Sequence, residues 1–472
     1  MKHNIATNKG FRTLAFVILL ATAPAASAQM GTLLYGSSRL PQGNAINPSF
    51  FPSNNKVYVT LPALRTHINM PLAYNDVIQY KPGDEYTTID LNNIMDALGK
   101  NGGIALDGDI NTLGFGFRVG NSFVTFSSQV KADFSVAMPT SLLKFLTEGN
   151  YNFRGENNKL HILSGDFFTL QAYTEYSLGF GHKFGDLTAG AHLKLYNGYL
   201  CLSPQDTKLD LYTSEDYSTL RADMNYHARF SSLMRFNTAG DSIKMNGVDV
   251  VPNNWGVGMD IGARFKGSFY EVALSILDIG PGITWSANTF DLSPTGGECQ
   301  VEFTGMDISN VAAGGSFDTS QYRAIFDTLS AHMNPQWKAG GAFKTTIPTK
   351  INASAMFNVF HLLRAGISFH GEYNKSLQET PFRCTTTAMA ELNLMDRLEV
   401  IAGNTVIDNG YYIDWFNPGI GLNISPIKAI QFYFFVDYMS SIYVTDFRSL
   451  NMYLGFNIMI GNSRIQNIVS SN

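Results

Sequence analysis

The sequence predicts an all-β fold, a transmembrane antiparallel β-barrel of about 14 strands with a plug in its lumen formed by the N-terminal region. Three observations predict it. Apolar and polar residues alternate along many segments of eight or more residues, which is the periodicity of β-strands. The chain begins with an export signal, and after that signal no apolar run approaches the ~18 residues of a membrane-spanning helix. An exported chain of this kind crosses a bilayer only as a closed barrel, in which every backbone group is paired.

The composition fits a membrane protein and excludes two other classes. Of the 472 residues, 45% are hydrophobic and only 15% are charged, against a share of about 25% charged in soluble domains. The high apolar content excludes a disordered chain. Lys and Arg number 33 against 38 Asp and Glu, without a basic tract, so no nucleic acid is expected as a partner.

Residues 1–28 have the pattern of a signal peptide. Three basic residues precede the apolar stretch 14–23, and an A-x-A cleavage pattern ends at Ala28, so the mature chain is predicted to begin at Gln29. The apolar stretch is too short for a membrane anchor, and no Cys follows the cleavage site to carry a lipid. The protein is therefore predicted to be exported.

Residues 29–110 are predicted to form a hatch or plug region. Six prolines in this stretch discourage central strands. Pro48 has no N–H to give to a strand ladder, so the Asn47-Pro48 segment suits a buried turn better than the wall. Asn47 has two candidate partners there, its own backbone or a polar wall residue such as Arg221.

The barrel itself is predicted over residues 111–460, followed by a tail at 461–472. The candidate strands are 112–119, 122–138, 168–184, 187–200, 218–231, 255–265, 269–279, 337–346, 351–360, 362–373, 385–394, 397–407, 411–423, 429–439 and 450–460. These are fifteen candidates, whereas a closed single-chain bacterial barrel has an even number of strands. We therefore expect 14 strands, with 12 or 16 as alternatives, and one or more misassigned segments.

The connections also favour a membrane barrel. Tight turns are predicted at Gly120-Asn121, Gly185-Asp186, Lys266-Gly267 and Asp396-Arg397. Longer connections are expected at 139–167, 201–217 and 281–336. Short turns alternating with long loops are typical of transmembrane barrels, whereas strands of soluble sandwiches average about five or six residues. Amphipathic helices are expected at 91–98 and 322–333 as packing elements.

Aromatic side chains cluster near two predicted strand ends. The residues are Tyr411, Tyr412, Trp415, Phe416, Phe432, Tyr433, Phe434, Phe435 and Tyr438. On a barrel such residues form the girdles at the two lipid–water interfaces. In a soluble protein they would belong to the core, and the run 432–436 would promote aggregation.

Two segments resemble a known family. Asn47-Pro48-Ser49-Phe50 resembles the Asn-Pro-Ala motif in the N-terminal hatch of FadL-type fatty-acid transporters. The segment 255–280, with Asp260 and Gly262 in a Gly-x-Asp-x-Gly-Ala pattern, is similar to a strand pair of that superfamily. The opening from Gly36 to Pro52 is similar to an uncharacterised branch of FadL-like barrels from Bacteroidota-type outer membranes.

The resemblance implies a monomeric 14-stranded barrel in the cell outer membrane. It implies that Asn47, Pro48 and Phe50 belong to a hatch that moves to pass hydrophobic ligands. Ser49 stands where Ala is usual, and a tail follows the last strand, so the resemblance does not specify a fatty acid. Some relatives serve protein secretion instead.

Charged residues on predicted inward faces form the candidate lumenal site, namely Arg221, Asp223, Arg229 and Glu372. One interpretation is a site for a substrate head group, in which Arg221 or Arg229 holds a carboxylate. The other is a polar lining whose charges pair with one another, as is common in barrel interiors. The paired lining is favoured.

No catalytic, cofactor or metal site is predicted. The histidines have no metal-ligand spacing, and neither a Gly-x-Ser-x-Gly elbow nor a phosphate loop occurs. Cys201, Cys299 and Cys384 fit no disulfide framework. Cys201 and Cys299 either pair in the oxidising compartment or remain free thiols. An enzyme acting on lipids is the least favoured function.

Two functions remain. The leading one is an outer-membrane channel for passive uptake of hydrophobic or amphipathic small molecules, gated by the N-terminal hatch. The alternative is a non-transporting outer-membrane barrel that binds or hands over exported proteins. The expected partners are outer-membrane lipid and a hydrophobic small-molecule ligand, or exported proteins under the alternative.

Overall fold

The fold is an antiparallel barrel closed by the chain's first and last strands. A computed structural model describes residues 31–79, 103–137, 158–164, 168–303 and 334–462, apart from short gaps, with a few isolated positions between these ranges. Within this described part, fourteen wall strands form one closed ring, which confirms the predicted fold class. No helix in the described ranges is long and apolar enough to cross a membrane.

The wall strands follow the chain in order around the ring. Strand β1 consists of two pieces, Asn55–Thr60 and Ala63–Asn69. The others are β2 (Gly103–Val119), β3 (Ser122–Ala137), β4 (Phe168–Phe184), β5 (Leu187–Pro204), β6 (Trp255–Lys266), β7 (Tyr270–Trp285), β8 (Thr349–Phe360), β9 (Leu363–Tyr373), β10 (Phe382–Leu394), β11 (Leu398–Asp408), β12 (Ile413–Ile427), β13 (Ile430–Met439) and β14 (Ser449–Asn462). Both pieces of β1 pair with β2 and with β14, which closes the ring.

The wall begins at Asn55, so the predicted start of the barrel at residue 111 is wrong. Pro62 separates the two pieces of β1 because it has no N–H for the ladder. The backbone N–H of Leu61 still donates to Phe456 O at 3.2 Å. Two short alternating runs on either side of a proline gave too weak a strand signal, although together they form a full wall strand.

The even strand number follows from two further corrections. Candidate 218–231 is not a wall strand of its own, because its first part lies in a separate sheet and its second part, Ala228–Ser232, extends the wall beside β5. Candidate 337–346 likewise contributes only the short strands Pro335–Ala339 and Phe343–Thr345. The remaining thirteen candidates are wall strands, and β1 completes the ring.

Alternation along each strand separates a lipid face from a lumenal face. On β4, Leu178 and Phe180 are more than half exposed on the outside, whereas Glu175 and Ser177 are buried in the interior. A barrel that crosses lipid has apolar side chains on its outside and polar side chains on its inside.

Short turns lie at one end of the barrel. Gly120 and Gly185 both have φ of +59°, in the region where glycine is favoured, and they open the two-residue turns predicted at these positions. Most connections at the other end are longer. In membrane barrels the short turns face the periplasm and the long loops face outward, so we call these two ends the turn end and the loop end.

The loop end carries structure beyond the wall. Leu160–Ser164, Lys208–Thr213, Leu220–Asn225 and Cys299–Phe303 form a separate four-stranded sheet, so the connection expected over 201–217 is largely strand. In a turn of this sheet, the hydroxyls of Ser214 and Ser218 donate to Asp216 and lower the pKa of that carboxyl to about 2.

The predicted aromatic cluster divides between the two faces. Trp415, Phe416, Phe432 and Phe434 face outward, as girdle residues do, whereas Tyr433, Phe435 and Tyr438 are buried in the interior. Strand alternation explains the division, because successive residues of the run 432–436 point to opposite sides.

Several predicted features lie outside the described residues. They are the signal peptide at 1–28, Tyr411 and Tyr412, nearly all of the helices at 91–98 and 322–333, and the tail beyond Asn462.

Candidate functional site: the lumen and its N-terminal segment

Residues 31–52, which we call the lumenal segment, form a compact chain of turns inside the ring. The segment has one 3-10 turn at Thr32–Tyr35 and one helical turn at Gly43–Ile46. Nearly all of its described residues are buried, although it lacks a sheet of its own. Its contacts therefore come from the wall.

The start of the segment is held by a buried carboxylate on β13. Asp437 accepts the backbone N–H groups of Thr32 at 2.8 Å and Leu33 at 3.1 Å. These N–H groups open the 3-10 turn and have no partner within it, so a carboxylate is the natural acceptor. Asn451 and the Tyr453 hydroxyl also donate to Asp437, each at 3.1 Å.

Other contacts attach the segment to the turn end of the lumen. Arg364 on β9 donates to the Gly36 carbonyl at 3.1 Å. The Ser37 hydroxyl donates to Glu399 on β11 at 2.7 Å. These two charged wall residues therefore hold the segment through its backbone and its Ser37 side chain.

The middle of the segment is attached across the lumen from Asp437. The Ile46 carbonyl accepts hydrogen bonds from Ser275 on β7 at 2.6 Å, from Asn352 on β8 at 3.2 Å, and from Tyr35 within the segment at 3.1 Å. Strands β7 and β8 lie on the opposite side of the ring from β13 and β14. A chain that contacts both sides lies within the lumen.

The Asn47-Pro48 turn closes on itself and packs against the wall. The Asn47 side-chain oxygen accepts the Ser49 N–H at 2.9 Å and the Ser49 hydroxyl at 2.6 Å. Its amide nitrogen donates to the Leu274 carbonyl at 3.1 Å. Of the two candidate partners, Asn47 thus uses its own backbone. The alternative partner, Arg221, is not on the wall.

Two wall glycines allow this close approach. A Cβ at Gly262 would collide with the Asn47 side chain, and one at Gly190 would collide with the Pro48 carbonyl. The second glycine of the Gly-x-Asp-x-Gly pattern is therefore the contact point of the Asn-Pro turn. Phe50 packs edge-on against Tyr35 with ring centroids 5.5 Å apart, and its ring lies 5.1 Å from the Arg264 guanidinium.

A chain of buried ion pairs runs along the lumenal face of strands β3 to β8, beside the segment. Lys131 lies 2.6 Å from Glu175. Lys194 lies 3.3 Å from Glu175, 3.0 Å from Asp260 and 2.6 Å from Asp278. Lys350 continues the chain, 2.9 Å from Asp278. Each of these charges is buried, and each is compensated by an opposite charge, which is what a buried charge requires.

A pocket lies between the lumenal segment and this charged wall. Its empty space is about 890 Å³, which includes the open solvent at its mouth. Leu34, Asn44, Ala45 and Ile46 line it from the segment, and Tyr58, Tyr433 and Tyr453 line it from the wall. Its charged lining includes the pairs Arg65–Asp109 and Lys194–Glu175. The pocket is therefore amphipathic.

The four candidate lumenal charges separate into three places. Glu372 is buried on β9 and faces the lumen near Lys350. Arg221 and Asp223 lie off the wall in the four-stranded sheet, 2.7 Å apart. Arg229 lies on the wall extension at the loop end, partly exposed and 3.6 Å from Asp291. The sequence alternation continues across 218–231, but the strand is broken at Tyr226 and His227. The first two residues therefore lie in another sheet.

Several important lumenal residues were not singled out from the sequence. Asp437, Asn44, Asp278 and Lys350 are buried polar residues, and each contacts a residue that is distant in the chain. Asp437 could have been noticed, since it interrupts an apolar and aromatic strand. Cys201 is a buried free thiol, so the predicted alternative of a disulfide with Cys299 is wrong.

The fold and its filled lumen define a transmembrane β-barrel with an internal N-terminal segment. The chain belongs to the family of unknown function DUF5723, whose model matches residues 48–437. No curated protein matches it.

Solved structures similar to the chain include two toluene transporters and a FadL homologue. The toluene transporter TbuX of Ralstonia pickettii is 8% identical, with 89% of this chain and 94% of that chain covered and a TM-score of 0.40. The toluene transporter TodX of P. putida is 10% identical, with coverages of 90% and 96% and a TM-score of 0.44. A FadL homologue of Pseudomonas aeruginosa is 10% identical, with coverages of 92% and 97% and a TM-score of 0.38. At these identities and TM-scores, the structural similarity adds no evidence on the fold beyond the strand pairing itself.

Proposed function

We propose that this protein is an outer-membrane channel for passive uptake of hydrophobic or amphipathic small molecules, with the lumenal segment as its gate. The observation that carries the proposal is the pocket, which the segment bounds on one side and the wall on the other. Displacement of the segment would widen this pocket into a passage. The protein acts as a monomeric barrel surrounded by outer-membrane lipid.

The way the segment is held supports a gating role. None of the described residues between 31 and 52 belongs to a strand, so the segment is not part of the wall ladder. Its contacts with the wall are side-chain hydrogen bonds and packing, for example those of Asp437 and Ser275. Such contacts can break without opening the barrel.

The pocket lining supports the class of ligand. The charges of Arg65 and Lys194 are each paired with a carboxylate of the same lining, so an anionic head group would have to displace one of these partners. The tyrosines and the aliphatic Leu34 and Ile46 offer apolar contact to a neutral molecule. A neutral ligand with an apolar body fits this lining best.

Deletion of residues 30–52 tests the gate. The mature protein and the deletion variant are reconstituted in liposomes, and the influx of a small uncharged solute is measured. We expect the deletion to raise the influx severalfold. Equal influx through both proteins would remove the segment from the mechanism and would favour the alternative, a non-transporting barrel that binds exported proteins.

A reversible cross-link distinguishes a segment that moves during transport from one that stays fixed in the lumen. Thr32→Cys and Thr387→Cys are combined because the hydroxyl oxygens of Thr32, in the segment, and Thr387, on β10, lie 2.9 Å apart. We expect oxidation of the double variant to lower the uptake of an apolar ligand, and reduction to restore it. The single variant Thr32→Cys is the control for effects of the oxidant. Unchanged uptake in the oxidised double variant would show that the segment does not move during transport.

A further inference from the structure

His192 joins the wall to the lumenal segment through both of its ring nitrogens. Its Nδ1 lies 2.9 Å from an Asp260 carboxylate oxygen on β6, and its Nε2 lies 3.1 Å from the side-chain oxygen of Asn44. The ring is 3% exposed. It also packs against β4 at Gly179, where a Cβ would collide with it, so its orientation is fixed.

The orientation of the Asn44 amide follows from its other contacts. Its nitrogen donates to the carbonyls of Phe50 at 2.9 Å and Pro48 at 3.3 Å. A flipped amide would point its oxygen at two carbonyl oxygens and lose both bonds. The Asn44 oxygen therefore faces His192 as an acceptor.

Both partners of His192 thus accept hydrogen bonds, and a ring nitrogen bonds to an acceptor only when it carries a proton. A neutral imidazole has one N–H, whereas the imidazolium has two. We propose that His192 is a proton-dependent latch, which in its doubly protonated form ties the lumenal segment to the barrel wall. The functional part of this inference rests on the proposed gating role of the segment.

The charged groups around His192 determine which bond is lost when the proton leaves. Asp260 faces the ring from β6, with Lys194 on the same carboxylate. Glu175 on β4 and Asp278 on β7 contact Lys194, and the segment contributes the uncharged Asn44. The remaining N–H stays on the carboxylate because a charged acceptor binds it more strongly. Nε2 then becomes an acceptor facing the acceptor oxygen of Asn44, and the link to the segment breaks.

The direction of the effect follows from the two acceptors. The latch is closed when both ring nitrogens carry protons, and it opens when one proton is lost. We expect the segment to be looser, and the influx of solute to be higher, at pH 8 than at pH 5.

Hydrogen exchange tests the latch without relying on transport. Exchange of the amides in residues 40–50 is followed by mass spectrometry on the full mature protein in detergent at pH 5 and pH 8, after correction for the intrinsic rates. We expect protection to fall about tenfold at the higher pH, which corresponds to the loss of one charge-assisted hydrogen bond. Unchanged corrected protection would overturn the latch.

Two variants and one control identify the residue responsible. His192→Gln and Asn44→Ala should each show low, pH-independent protection. His67→Gln is the matched control, since His67 is an equally buried lumenal histidine whose ring contacts Asp107 and Tyr438. This control should keep the wild-type pH response. A full pH response in His192→Gln would overturn the proposal.

Influx measured on the same proteins separates the latch from the channel function. Parallel changes in exchange and influx support both. A pH-dependent exchange with constant influx keeps the latch and contradicts the channel. A pH-dependent influx with constant exchange contradicts the latch and leaves the channel in place.

Discussion

At the scale of single residues, the lumenal face is more costly to change than its polarity suggests. Lys131 is an inward charge, and a polar, water-filled barrel interior would tolerate its truncation. In the structure it is 3% exposed and lies 2.6 Å from Glu175. We expect Lys131→Ala to lower the free energy of unfolding by about 3 kcal/mol, since removing one partner leaves a buried charge undercompensated. Guanidinium denaturation measures the free energy of unfolding. Val130→Ala, on the opposite face, is the control and should lower this free energy less.

On the outward face, an introduced charge is what should lower the stability. Leu454 lies in the middle of β14 and is 40% exposed on the lipid side, whereas its neighbour Tyr453 is buried in the lumen. Leu454→Arg should cost about 2–4 kcal/mol of stability in a bilayer if the site is near the midplane. Leu454→Ala separates the loss of packing from the charge. Equal stability of the Arg and Ala variants in liposomes would mean that this face does not contact lipid.

At the scale of elements, the lumenal segment depends on a few long-range anchors. Asp437 receives four hydrogen bonds, two from the segment backbone and two from wall side chains. Asp437→Asn replaces one acceptor oxygen by a donor, so the first turn of the segment should loosen while the wall remains intact. We expect hydrogen exchange at residues 31–36 to increase about tenfold or more, with β10 and β11 unchanged. The control Asp216→Asn, in the off-wall sheet, should leave this region protected.

Some elements were predictable and others were not, for a physical reason. Thirteen wall strands carry long alternating runs, and alternation reports one-sided burial directly. Strand β1 was missed because Pro62 divides it into two pieces, each too short to show a period. Arg221 and Asp223 were placed on the wall because alternation shows which residues share a face but does not show which sheet the strand joins. The attachment of the Asn47 turn was predicted in part, since an Asx turn is a local feature. Its contact, Gly262, lies on β6, beyond five other wall strands in the chain.

At the scale of the whole molecule, closure of the ring depends on β1, and the segment before it does not contribute to the wall. Every wall pairing begins at or after Asn55. Strands β2 and β14 both pair antiparallel with β1, so they run parallel to each other. Without β1, they would have to pair in parallel and in a new register, or leave two open edges within the bilayer, where unpaired backbone groups are costly.

Two nested deletions therefore have opposite outcomes. A closed barrel resists unfolding by SDS and should migrate faster on a gel before boiling than after it. We expect the mature protein and the variant lacking residues 30–52 both to show this shift, because their fourteen-strand wall is complete. The variant lacking residues 30–69 should lose it, because the second deletion removes both pieces of β1. If the longer deletion kept the shift, β1 would not be needed for closure. If the shorter one lost it, the lumenal segment would be part of what makes the barrel resistant, and its displacement could not serve as a gate.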